Sequence, residues 1–225
     1  MTTQTVAILG GTGPQGRGLA VRLAQVGVDV VIGSRDGGRA ADVAAETAAE
    51  YGVDLRGLAN AEAARAAPIV FVAVPWAAHE STLSGLRDEL AGRIVVDVVN
   101  PLEFDAAGPF GAPVEGGGAA LQAQVLLPDS RVVAGFHHVS AKTLLDVSRS
   151  LDEDVLVCGD DTEAKLEVIA LADRLPGVRG IDAGPLRLSG VLEPMTAVLL
   201  SINRRYRTTA GLRLTDVDVA RRRTD

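Results

Sequence analysis

The chain has 225 residues, 22 of them Lys or Arg and 29 Asp or Glu, for a formal charge of −7. That balance argues against a nucleic-acid surface, which needs a broad basic footprint, and four Phe, two Tyr and one Trp are too few rings for a base-stacking platform. A single cysteine, Cys158, excludes an internal disulfide, and His79, His137 and His138 fall in no metal-ligand spacing, so no metal site is expected.

Short β-branched runs alternate with Ala/Leu-rich stretches of helical length, the pattern of a parallel sheet wrapped by helices. Thr5–Leu9 reads as a strand and Gln15–Val26 as a helix with Leu19, Leu23 and Val26 on one face. Asp29–Ile32 and Gly38–Tyr51 repeat that unit. Ile69–Val74 and Ile94–Val98 are apolar runs suited to strands buried on both faces, with a helix over Ala78–Leu90 between them. Pro101–Gly118, with three prolines and five glycines, predicts a loop too long to be kept without a use. Ala119–Leu127 predicts a short helix, and Arg131–Phe136 a strand ending at His137-His138. Asp154–Cys158 and Gly180–Asp182 predict two more strands around a Thr162–Leu175 helix, which Asp160, Asp161 or Thr162 would cap. The last helix, Ser189–Tyr206, is apolar over more than a narrow stripe, predicting burial against its own domain and a partner subunit. The tail from Asp216 through Arg221-Arg222-Arg223 is expected to fray. With no signal-like N-terminus and no window near the roughly 20 apolar residues of a bilayer span, a soluble, cytoplasmic protein without a membrane partner is expected.

The first strand runs into Gly10-Gly11-Thr12-Gly13-Pro14-Gln15-Gly16. In this strand-to-helix setting Gly11 is expected to make the tight turn, Gly13 to leave room for a pyrophosphate, and Gly16 to let the helix approach the sheet. The fold class expected is therefore α/β, a Rossmann-type doubly wound parallel sheet, with a small C-terminal α/β domain. A carboxylate about 20 residues further on would select NAD through its ribose 2′-OH. Here Ser34-Arg35 occupies that place, with Arg39 one helical turn beyond, so a 2′-phosphate and hence NADP(H) is favoured. Leu55 follows Tyr51 and Ala210 follows Tyr206 at the spacing where a Tyr-x-x-x-Lys pair needs lysine, so short-chain dehydrogenase chemistry is absent. The segment after Phe136 is too short for the helical domain of the β-hydroxyacid dehydrogenases. No side chain is assigned a catalytic acid–base role.

Beyond the glycine turn and Gly33-Ser34-Arg35, several further motifs occur in order. They are Val74-Pro75-Trp76, Val157-Cys158-Gly159-Asp160-Asp161, Asp182-Ala183-Gly184-Pro185-Leu186, and Leu192-Glu193-Pro194-Met195-Thr196 leading into Ile202-Asn203-Arg204-Arg205-Tyr206. With these the chain resembles the F420H2:NADP oxidoreductase family, from about Thr5 to Leu214. The resemblance implies reversible hydride transfer between NADPH and coenzyme F420, an 8-hydroxy-5-deazaflavin. It also implies residues 1–150 as the NADP-binding domain, 151–225 as a small domain closing the deazaflavin pocket, and a homodimer. Carried over by motif, Thr12, Gly13, Pro14 and Gln15 contact the pyrophosphate, and Ser34, Arg35 and Arg39 the 2′-phosphate. Val74 and Asn100 lie along the cofactor, and His137, Val139 and Ala141 line the gap where nicotinamide meets deazaflavin. His137 is expected to hydrogen-bond the deazaflavin and stabilise negative charge there. Ser140 and Pro194 stand where archaeal members have proline and serine. Trp76, Cys158 and His138 are read as packing residues, and Lys142 as facing either an anion or solvent. Two alternatives share the NADPH site: a reductase of FMN, FAD or a related acceptor, and a non-catalytic NADP sensor of the NmrA-like kind, whose opening the glycine turn also resembles.

Overall fold

In the computed structural model, which describes residues 4–221, Thr5–Leu9 (β1) sends Val6 and Ile8 to one face of a sheet and Ala7 and Leu9 to the other. All four are fully buried, as a strand covered by helices on both faces requires. The expected fraying at Arg222 and Arg223 lies outside the described residues. After β1 come α1 (Pro14–Gln25), β2 (Asp29–Ser34), α2 (Gly37–Tyr51), β3 (Leu55–Ala59), α3 (Asn60–Ala66) and β4 (Ile69–Val72). Then follow α4 (Trp76–Gly85), α5 (Arg87–Leu90), β5 (Ile94–Asp97), a hairpin of β6 (Leu102–Asp105) and β7 (Gly108–Gly111), α6 (Ala119–Leu126) and β8 (Arg131–Ala134). The chain continues through α7 (Ala141–Leu145), β9 (Glu153–Gly159), α8 (Thr162–Asp173), β10 (Val178–Gly184) and α9 (Ser189–Tyr206).

Eight strands form one sheet in the order β10-β9-β8-β5-β4-β1-β2-β3. Every neighbouring pair is parallel except β8 with β9, which meet antiparallel through Val133↔Gly159 and Ala134↔Cys158. From β1 the chain winds outward through β2 to β3, then returns to β4 on the other side. That reversal opens a crevice at the carboxyl ends of β1 and β4, where ligands of such sheets bind. One face buries Ile8, Ile32, Phe71 and Val96 under α1 and α8; the other buries Leu9, Val31, Val72 and Val95 under α3, α4 and α6. Phe71 and Phe136 meet edge-on at 5.5 Å between ring centroids. Among the described residues no helix is long and apolar enough to cross a membrane.

Several expectations shift. Asp161 caps α8, accepting from the Ala164 N–H at 2.8 Å, whereas Asp160 accepts from the Leu186 N–H at 2.9 Å and ties β9 to the turn before α9. The helix expected over 78–90 starts at Trp76 and breaks at Leu86. Part of the loop expected over 101–118 is the β6–β7 hairpin, whose turn is held by Asp105 accepting from the Ala107 and Gly108 N–H groups. The hairpin packs on α9 so closely that a Cβ on Gly111 would lie 2.7 Å from Pro194 Cβ.

Candidate functional site

At the end of β1 the positive φ falls on Gly10, at 72°, rather than on Gly11. Gly11 instead passes against β2: a Cβ there would lie 2.6 Å from Ile32 Cβ. Gly16 is equally constrained, with a Cβ meeting Gly11 Cα at 2.7 Å. Gly13 differs, because the nearest atom to its hypothetical Cβ is 3.5 Å away. Packing does not require glycine there, and the bare backbone faces the cavity described next. Gly13 is also the N-cap of α1, with no side-chain cap, Pro14 at the first turn and no acidic residue nearby. The free N–H groups and positive end of α1 are thus left for an anion.

A cavity of about 430 Å³ runs along this turn, bounded by Thr12, Gly13, Pro14 and Gln15, with Ser34, Arg35, Arg39 and Val74 also on its walls. Gly11 and Gly16 form the packed backing behind it. Arg35 and Arg39 are exposed, and neither guanidinium has a hydrogen-bond or ion-pair partner among the described residues. The carboxylate between them in sequence, Asp36, is committed to capping α2 through the Arg39 N–H at 3.2 Å. Two unpaired cations beside a hydroxyl match a phosphate dianion. A neighbouring hollow of about 350 Å³ shares Arg35, Asn60 and Thr82. The buried Asn60 Oδ1 has no partner there, a polar group the sequence reading passed over.

Past Val74, a further cavity of about 210 Å³ shares Gln15 and Val74 and is lined by Trp76 and Val98–Asn100. The Asn100 Nδ2 donates to the His137 carbonyl at 2.7 Å, and Thr196 Oγ1 from α9 donates to the same oxygen at 2.9 Å. Gln15 Nε2 donates to the Val139 carbonyl at 3.2 Å. The chain enters this segment through Phe136, a non-glycine residue at φ 62°. Such a conformation persists where the surroundings over-determine it, as two donors on the next carbonyl do here. Arg22 secures the far side: its buried guanidinium donates to the carbonyls of Thr143, Leu144, Asp146 and Arg149, fixing α7 against α1.

The predicted residues therefore divide. Thr12, Gly13, Pro14, Gln15, Ser34, Arg35, Arg39 and Val74 line the first cavity and Asn100 the adjoining one, and the two, sharing Gln15 and Val74, form a trough. His137 and Val139 stand behind its wall at 3% and 4% exposure, linked to it through their carbonyls, and Ala141 opens α7 beside them. Both ring nitrogens of His137 are buried without a partner, and burial pushes its pKa down to about 4, with neighbouring His138 adding to that and Asp97 opposing it. The ring is neutral at pH 7. A neutral ring has one N–H to donate, here enclosed with the rest of the side chain.

His138 Nε2 lies 2.6 Å from the Asp154 carbonyl, a packed histidine. Trp76, read from sequence as packing, also forms a cavity wall. Burial raises the Cys158 thiol to about 11, an inert core group. Among the described residues no cluster of His, Cys, Asp or Glu is arranged to hold a metal. Lys142 and Arg204, Arg205 and Arg207 are exposed and line none of the three cavities.

The family described as "NADP oxidoreductase coenzyme F420-dependent" matches residues 5–101. The F420-dependent NADP reductase of Methanocaldococcus jannaschii is 38% identical over 95% of this chain and 99% of its own length. That of Methanothermobacter marburgensis is 36% identical over 94% of this chain and 98% of its own. The chain belongs to the F420-dependent NADP reductase family. A crystal structure from Arthrobacter sp. FB24, assigned as an F420-dependent NADP reductase, superposes with a TM-score of 0.81 at 29% identity, covering 93% of this chain and 98% of that one. Membership thus extends over the β6–β7 hairpin and α9 as well as the glycine-turn half.

Proposed function

We propose that this chain transfers hydride reversibly between NADP(H) and coenzyme F420. The observation that carries the reading is the trough itself, with guanidiniums unpaired among the described residues at one end and a bare glycine backbone at its middle, in a chain similar over 94–95% of its length to F420-dependent NADP reductases. When bound, the nicotinamide and deazaflavin rings supply the redox chemistry; the protein aligns them at roughly 3–3.5 Å. The α1 N-terminus, with Thr12, Gly13, Pro14 and Gln15, holds the pyrophosphate. Ser34, Arg35 and Arg39 hold the 2′-phosphate. Val74 and Asn100 orient the nicotinamide end, and His137, Val139 and Ala141 form the deazaflavin side, His137 and Val139 through the backbone that Asn100, Thr196 and Gln15 hold.

In this reading residues 151–225 close the deazaflavin pocket. In support, Thr196 of α9 reaches the His137 carbonyl across 59 residues of sequence. The protein works as a cytoplasmic homodimer through α9, whose Val191 and Val198 are 69% and 57% exposed in the single chain. NADPH-dependent bleaching of the F420 visible absorbance, strong with NADPH and weak with NADH, is the expected result. Reduction of FMN or FAD but not F420 would overturn the acceptor; binding of NADPH with no turnover of any acceptor would leave a sensor.

A further inference from the structure

We propose that His79 is a positioning residue of the hydride-transfer site, held as an imidazolium between Asp97 and Gln122, so that one buried ion pair fixes two walls of the nicotinamide cavity. The inference rests on the reading of that cavity given above. His79 sits on α4, Asp97 at the end of β5 and Gln122 on α6. His79 Nε2 lies 2.6 Å from Asp97 Oδ2 and Nδ1 3.0 Å from Gln122 Oε1, so both ring nitrogens face acceptors. With the Gln122 amide oxygen facing Nδ1, a neutral ring, which has one N–H, leaves one of the two contacts without a proton, and the doubly protonated ring satisfies both. His79 and Asp97 are fully buried, and the carboxylate without its imidazolium would be an uncompensated buried charge.

The surroundings agree. Asp97 faces His79 from β5, and from α9 acts Glu193, whose pKa burial raises against the Ala119 and Ala120 N–H bonds, while Gln122 on α6 and Trp76 on α4 are uncharged and His137, near Asp97, is neutral. Burial works against the charged ring, yet the Asp97 hydrogen bond and charge, the Gln122 bond and the field of Glu193 outweigh it and raise the His79 pKa.

Two contacts carry this pair to the cavity. The Trp76 ring packs on the imidazole at 5.3 Å between centroids, and the second Asp97 oxygen accepts from the Val99 N–H at 2.9 Å. Trp76 and Val98–Asn100 both line the cavity, and Asn100 holds the His137 carbonyl.

The test uses the ligand-free full-length chain labelled with 15N-histidine. Of its three histidines, one should show both ring nitrogens protonated at pH 7.5 and the other two a single N–H. Because imidazolium quenches indole, emission from the sole tryptophan, Trp76, should rise on the same alkaline titration. Gln122→Ala removes one acceptor without leaving a buried charge unpaired, and should move both midpoints to lower pH. It should also lower kcat with F420 about tenfold while the NADPH KM stays within about twofold, and pull in the alkaline limb of the kcat profile. Three neutral histidines at pH 7.5 would overturn the ion pair. Unchanged kcat and alkaline limb in Gln122→Ala, with the histidine midpoint shifted, would overturn the positioning role. If the wild-type chain failed to reduce F420 at all while the histidine spectrum stood, the fault would lie in the acceptor assignment instead.

Discussion

The two ends of the trough are built by opposite means. At the end proposed for the 2′-phosphate, Arg35 and Arg39 are exposed, four residues apart and without a partner among the described residues, and their chemistry is charge held ready for an anion. At the ring end the polar side chains are half-buried or buried and bonded within the protein: Asn100 and Thr196 to one carbonyl, Gln15 to another, His79 to Asp97. In the proposed function the first end selects a ligand by attraction and tolerates motion. The second selects a geometry, because hydride transfer is steep in distance and angle while its partners bring their own reactivity. Substitutions at the first end should therefore change binding, and those at the second end turnover.

The largest effect is expected where both ends depend on one backbone, the glycine turn. Gly16→Ala places a Cβ 2.7 Å from Gly11 Cα and 2.8 Å from the Gly10 carbonyl. Backbone atoms yield little, so urea unfolding should show a loss near the top of the about 1–3 kcal/mol range for overpacking. Gly13→Ala should leave stability within about 1 kcal/mol, since its Cβ has room, yet weaken NADPH binding about a hundredfold by occupying the ligand's space. Equal stability losses in the two variants would show that Gly13 is a packing glycine after all.

Arg35→Ala tests the charged end alone. Losing one charge-assisted contact of about 1.5–3 kcal/mol should raise the NADPH KM about 10–100-fold, leaving kcat and the NADH KM nearly unchanged. A parallel rise in both KM values would place Arg35 on a part of the cofactor common to NADH and NADPH.

That asymmetry also sets what the sequence discloses. β1, α1 and β2 were legible because a strand buried on both faces must be continuously apolar and a glycine turn is a local pattern. The helix Ser189–Tyr206 was placed end to end. β3 was not, since Leu55-Arg56-Gly57-Leu58-Ala59 is an edge strand with no β-branched residue. The four-residue strands of the β6–β7 hairpin hid within a Pro/Gly-rich stretch. At the site, Ser34, Arg35 and Arg39 lie within six positions of each other and could be read together. Thr196 and His137 are 59 residues apart, and Arg22 and Leu144 are 122 apart. Such pairs are made by tertiary packing, and no local spacing signals them.

At the ring end, Thr196→Val keeps the shape and removes one of two donors on the His137 carbonyl. A hydrogen bond of about 1 kcal/mol should cost roughly fivefold in kcat, with the NADPH KM unchanged because Asn100 still holds the carbonyl. A change confined to KM would contradict the division between the two ends.

The smallest effect on turnover is expected at a buried acid in neither region. Glu153 opens β9 at 2% exposure; its Oε2 has no hydrogen-bond partner among the described residues and faces Gly211, and burial raises its pKa to about 7, with Arg149 opposing and Asp152 reinforcing. His137 also has buried, unpartnered polar atoms, but those belong to the ring end. For Glu153 the folded carboxyl holds its proton more tightly than the unfolded one. Its contribution to stability is complete below about pH 4.5 and is lost as the pH rises through about 7. The loss amounts to at most about 3 kcal/mol. Glu153→Gln should accordingly flatten the fall in stability between those pH values and stabilise the protein at pH 8, while kcat and both KM values stay put. If the variant instead lowered kcat, buried polar groups without partners would not divide into those that serve the site and those that only burden the fold, and the ring end would extend as far as β9.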